Sequence, residues 1–115
     1  MRKFEIATIQ KDIKYNSFGD HDPEGLIFVP LDHAKDVLHG KKEPVPLILR
    51  ANAGDWIEVT LYNLFNPKVP IKFNDYPSVP LDFPHKPGNR VSLNPQFLKY
   101  NPVTSSGINV GYNPV

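Results

Sequence analysis

Pro46-Leu47-Ile48-Leu49-Arg50-Ala51-Asn52-Ala53-Gly54-Asp55-Trp56-Ile57-Glu58-Val59-Thr60-Leu61-Tyr62-Asn63 reads as a short apolar strand, a tight turn at Ala53-Gly54-Asp55 and a second strand of strict alternation. Ile57, Val59 and Leu61 point one way and Glu58, Thr60 and Tyr62 the other, because successive side chains of a strand face opposite sides. That pattern predicts burial of one face only, as in a two-layer β core.

Upstream, Phe4-Glu5-Ile6-Ala7-Thr8-Ile9-Gln10 also alternates and reads as the first strand, with Lys11 to Tyr15 continuing it after a bulge or bend. Asn16 to Gly25 is a polar turn segment, and Leu26-Ile27-Phe28-Val29 is a short strand ended by Pro30. Leu31 to His39 is the one helix predicted. Asp32 suits its N-cap, Leu31, Ala34, Val37 and Leu38 form its apolar face, and Gly40 stands where a C-terminal glycine belongs.

Downstream, Asn66-Pro67, Tyr76-Pro77, Phe83-Pro84 and Lys86-Pro87 punctuate a long Pro-rich loop. Arg90 to Leu93, Phe97 to Tyr100 and Ile108 to Tyr112 read as further short extended pieces, with a turn at Thr104 to Gly107. The chain has 13 prolines in 115 residues, most of them after position 66. Proline interrupts helix interiors and ladder bonds alike, so this half is extended or turn-like. The fold class expected is all-β: one domain over residues 1–115, near the lower limit for closing a Greek-key sandwich. The unpaired edge left over is a template for self-association.

A formal charge of +1 with dispersed basic residues argues against nucleic acid or an anionic membrane as partner. No apolar run approaches the length of a membrane span. Met1-Arg2-Lys3 has the charge of a signal-peptide start, but Phe4 to Thr8 carries Glu5 and reads as a strand, not an apolar h-region. There is no cysteine, which removes disulfides, thiolate zinc, cysteine nucleophiles and the thiolate of a blue-copper site.

The opening strand–turn–strand resembles the first cupredoxin domain of multicopper oxidases. Three other stretches resemble the large bacterial members, including the manganese-oxidising type, in the family's order. They are Gly19 to Val29, the helix exit Asp36-Val37-Leu38-His39-Gly40-Lys41-Lys42, and Asn89 to Tyr100 followed by Ser105 to Asn113. The resemblance implies a cupredoxin-like Greek-key β-sandwich, copper as the family's cofactor, and oxidase chemistry at copper centres shared between domains. It also implies that the family's sandwich continues beyond Val115, with further cupredoxin domains as partners.

The chain departs from the family at the copper ligands. The family's His-X-His pair after the strand ending near Asn63 is missing, and Asn94 stands where a histidine belongs. An amide oxygen is a poor copper ligand beside imidazole. The isolated chain is thus expected to hold no complete copper centre and to be inactive as an oxidase.

Two histidines stand out as candidate metal ligands. His21, in Gly19-Asp20-His21-Asp22-Pro23-Glu24-Gly25, has the oxygen-rich neighbours of a calcium or manganese loop, although Asp-Pro-x-Gly is also ordinary turn chemistry. His85 lies between Pro84 and Lys86. His33 and His39 read as surface residues of the helix, and Trp56 as a core-rim aromatic.

Three functions follow: a structural cupredoxin-like part of a larger or oligomeric oxidase, a copper- or manganese-handling component completed by other chains, and an unrelated sugar- or peptide-binding sandwich using the Asn66–Arg90 loop.

Overall fold

The computed structural model describes residues 1–65 and 90–108. Their elements are β1 (Arg2–Gln10), β2 (Ile13–Lys14), β3 (His21–Asp22), β4 (Leu26–Pro30), α1 (Leu31–Leu38), β5 (Ile57–Asn63) and the one-turn α2 (Pro102–Ser105). Strands outnumber helices, and among the described residues no helix is long and apolar enough to cross a membrane.

β1 is the centre of a mixed three-stranded sheet of order β4-β1-β5. It runs antiparallel to β4, with Ala7 opposite Val29 and Ile9 opposite Ile27, and parallel to β5, with Phe4 beside Val59 and Ile6 beside Leu61. The sequence reads β1 as a one-sided alternating strand, yet Ile6, Ala7, Thr8 and Ile9 are all buried. Ile6 and Thr8 lie on the face opposite Ala7 and Ile9, so β1 is shielded on both faces, and the Thr8 hydroxyl is directed at the Tyr62 carbonyl.

One face of this sheet carries Ala7, Ile9, Ile27 and Val29, and α1 lies on it through Leu31, Ala34 and Val37. Among the described residues this is the hydrophobic cluster beneath the helix, and Ile6 and Phe65 are buried outside it. The opposite face carries Phe4, Ile6 and Phe28 together with Ile57, Val59 and Leu61, as the register requires. The one-sided burial expected of β5 is corrected here: Ile57 is 41% exposed, Val59 36%, and Leu61 half-buried. The alternation is present, but α1 covers the other side of the sheet and lies over β1 and β4.

Local chemistry fixes the ends of α1. Gly40, at φ +74°, donates to the Val37 carbonyl at 3.0 Å, and Lys41 donates to the Asp36 carbonyl at 2.8 Å. These two bonds make a Schellman motif, which requires the left-handed residue that glycine supplies. Lys11 Nζ adds a 3.0 Å bond to the Leu38 carbonyl. The N-terminus differs from expectation: Pro30 is the N-cap, with no side-chain cap bond, and Asp32 sits inside the first turn. Because β4 runs straight into α1, the proline that ends the strand also starts the helix.

Three further expectations are corrected. Pro46 to Arg50 is not a strand; Ile48 is exposed, and the ladder it would have offered β5 is taken by β1. Arg90 to Leu93 and Phe97 to Tyr100 are irregular. The Leu93 backbone packs against Gly107 in place of a ladder partner, with its carbonyl carbon 2.6 Å from where a Gly107 Cβ would lie. The Lys11–Tyr15 continuation and the following turn segment form a small hairpin, with Ile13 opposite Asp22 and Lys14 opposite His21.

Candidate functional site

His21 lies on the β2–β3 hairpin. Asn16 organises the loop: its Oδ1 accepts from the backbone N–H groups of Phe18 (2.9 Å) and Asp20 (3.2 Å), and its Nδ2 donates to Asp20 Oδ2 at 2.6 Å. Gly19 takes φ +98° to reverse the chain. The exposed His21 ring places Nδ1 2.9 Å from the Gly19 carbonyl. A carbonyl only accepts, so Nδ1 carries the proton and Nε2 is the metal-competent nitrogen.

The carboxylates around His21 are engaged in the turn. Asp20 is held by Asn16, and Asp22 Oδ1 accepts from the Glu24 N–H at 3.0 Å. An open depression of about 410 Å³ is lined by Asp12, Lys14, Asn16, Ser17, Gly19 and His21. Among the described residues no three His, Cys, Asp or Glu side chains come together as a metal-holding group. His85 lies outside the described residues.

His33 is half-buried on α1, with Nε2 3.9 Å from Asp32 Oδ2, and His39 is the exposed C-cap. With no cysteine and no His-X-His in the chain, the donor set does not fit a resident thiolate or trinuclear copper centre. Among the described residues His21 Nε2 is not joined by two further metal-ligating side chains.

The second feature is β5, which the sequence marked as core. The turn before it is closed by Asp55 N–H to the Asn52 carbonyl at 3.1 Å, with Gly54 at φ +89°. Asp55 Oδ2 accepts from the Asn52 N–H (2.8 Å) and from Arg2 Nε (2.7 Å), so the backbone donor first and the guanidinium second hold its carboxyl below the usual carboxylate range. Arg2 N–H also donates to the Trp56 carbonyl at 2.7 Å, which ties the start of β1 to the start of β5.

At the other end, Tyr62 Oη donates to Glu5 Oε1 at 2.9 Å; that bond and the carboxylate's charge raise the phenol's pKa. Lys3 and Glu58 form an exposed pair at 3.3 Å. Lys3–Glu58 and Glu5–Tyr62 occupy the polar face of β5, and Arg2–Asp55 fastens the turn that precedes it. The sequence hides them, because the partners are more than 50 positions apart and nothing in the spacing links Arg2 to Asp55 or Glu5 to Tyr62.

Trp56 is 78% exposed, not a core-rim residue. It follows the turn, ahead of the first ladder residue Ile57, where no neighbouring strand covers it. Of the aromatics scattered after Tyr62, Phe65 is buried, its N–H bonded to Asn63 Oδ1 at 3.1 Å; Phe73, Tyr76 and Phe83 lie outside the described residues. No protein-family model and no curated protein matches the chain.

Proposed function

We propose that this chain is a cupredoxin-like domain related to the multicopper oxidases, without a complete copper centre of its own, serving as a structural and non-catalytic part of a larger or oligomeric oxidase. The observation that carries this reading is the two-faced sheet. α1 covers one side, while Phe4, Ile6, Phe28, Ile57, Val59 and Leu61 form an apolar stripe on the other, the side a second sheet covers in a sandwich. The parallel β1–β5 pair supports it further, because a parallel pair needs a crossover connection and excludes a simple meander. The strand that carries the strongest resemblance thus closes a mixed sheet.

The test is copper titration of the purified chain, followed by visible absorbance and by metal retained after dialysis. The expected result is weak, non-stoichiometric binding through single imidazoles. Stoichiometric copper that survives dialysis and is lost on His21→Ala or His85→Ala would replace the scaffold with a metal-handling component. A solved structure with no second sheet over the Phe4–Val59 face would remove the sandwich itself.

A further inference from the structure

We propose that the outer edge of β5 pairs with β5 of a second copy of this chain, antiparallel about a two-fold axis at Thr60, joining two three-stranded sheets into one of six strands. The proposal rests on the scaffold reading above and names its partner.

β5 has β1 on one side, and among the described residues no strand lies on the other. Glu58, Val59 and Thr60 are exposed in succession. The two edges of the sheet are built differently. β4 is five residues long, ends in Pro30 and turns at once into α1, which are devices that stop edge pairing. β5 is seven residues long, Ile57-Glu58-Val59-Thr60-Leu61-Tyr62-Asn63, with no proline, glycine or lysine to blunt it. An exposed strand of that composition recruits another strand.

The strand is complementary to itself. An axis at its centre, Thr60, places Glu58 opposite Tyr62 and Val59 opposite Leu61. The apolar stripe then runs unbroken across both copies on the face of Phe4 and Ile6. On the other face each Glu58, held by Lys3 at 3.3 Å, stands across from the ring of a Tyr62 whose hydroxyl donates to Glu5, and no like charges are directly opposite. Moving the axis to Glu58 would set two carboxylates against each other and shorten the ladder. The interface is isologous, so it closes at a dimer and does not propagate along this edge.

The chain has no cysteine, so single cysteines report the register cleanly. In the Thr60→Cys variant, symmetry mates have Cα atoms about 4.5–5.5 Å apart, inside the disulfide window of about 4.4–6.8 Å. In Glu58→Cys they are four residues out of step, about 14 Å apart at ~3.4 Å per residue. Under oxidised glutathione, Thr60→Cys is expected to form covalent dimer at least ~10-fold faster than Glu58→Cys.

Light scattering is expected to give a dimer for the native chain. For Thr60→Lys it is expected to give a monomer with unchanged far-UV circular dichroism, since that lysine gains in-register Glu5 within its own sheet and meets a second lysine across the axis. Equal cross-linking at both positions, a dimeric Thr60→Lys variant, or a native chain that is monomeric at every concentration would overturn the pairing. A monomer that holds no stoichiometric copper sinks the pairing and leaves the scaffold; a dimer that holds copper does the reverse.

Discussion

Alanine at Ile9 and alanine at Ile57 separate two locations for the hydrophobic core. Ile9 is 0% exposed and packs in the cluster of Ala7, Val29, Ala34 and Val37 beneath α1. Truncation removes three carbons, about 0.8 kcal/mol each in transfer terms, and leaves a cavity between helix and sheet. The expected loss is about 3–4 kcal/mol. Ile57, at 41% exposure, keeps little more than half of that transfer term and encloses no cavity, so its loss is about 1 kcal/mol. Stability of a domain this size is of the order of 6–17 kcal/mol, so the first change consumes a large share of it. Urea unfolding followed by far-UV circular dichroism reads both; the single tryptophan, Trp56, is too exposed to report on the core. At a urea slope of about 2 kcal/mol/M the midpoint falls by ~1.5–2 M for Ile9→Ala and by ~0.5 M for Ile57→Ala. The pair is measured in the Thr60→Lys background so that association does not contribute. Equal shifts, or a larger one for Ile57→Ala, would show that the β5 face and not the α1 layer holds the core.

Gly40→Ala forces a β-carbon into φ +74° and is expected to cost about 1–2 kcal/mol, seen as a fall of several degrees in Tm, whereas Asp32→Ala, at a side chain that caps nothing, costs less than half as much. Gly107→Ala drives a methyl group into the Leu93 backbone, which cannot move aside as a side-chain tip would. The expected cost is about 1–3 kcal/mol, read as faster amide exchange confined to residues 90–108. Asp55 has its folded pKa held below the ordinary 3.8, so its stabilising effect is complete above that value and is lost as pH falls through the folded pKa. Asp55→Asn therefore flattens the acid limb of the urea midpoint below about pH 4, leaving only the residual slope of the other carboxylates; an unchanged limb would show that the Arg2 and Asn52 contacts do not persist in solution.

The sequence marks β1, β4, α1 and β5 within a residue or two because each has strong local chemistry: alternation in β1 and β5, a proline stop after β4, a glycine C-terminus on α1. It misplaces what depends on distant partners. The N-cap at Asp32 is a sound local inference, overridden because Pro30 joins strand and helix without a turn. α2 passes for a turn because its devices, Asn101 Oδ1 accepting from the Val103 N–H at 2.9 Å and Pro102 at its start, act on four residues with no apolar periodicity. At His21 the sequence shows an acidic loop with a histidine. Only coordinates show that Asn16 and the Glu24 N–H occupy Asp20 and Asp22, since Asx and cation-binding loops draw on the same residue types.

The choice of partner for β5 turns on competing magnitudes. A local hairpin with Leu47 to Arg50 would close about six residues, whereas pairing with β1 closes the 46 residues from Lys11 to Trp56. That is just under three doublings of loop length, a penalty of about 2 kcal/mol. The parallel ladder offsets it along its whole length. Seven residues of β5 are in register with β1, the Arg2 N–H and the Leu64 N–H extend the bonding at either end, and Arg2–Asp55, Lys3–Glu58 and Glu5–Tyr62 join the strands by side chains. Exposed pairs of this kind contribute little, so the larger share must come from apolar burial. Ile6 is 1% exposed, and β5 supplies Leu61 beside it. The hairpin would have left β1 an edge strand, with one side of its backbone lacking ladder partners. Pairing the central strand on both edges outweighs the cheaper closure, and among the described residues β5 becomes an edge in its place.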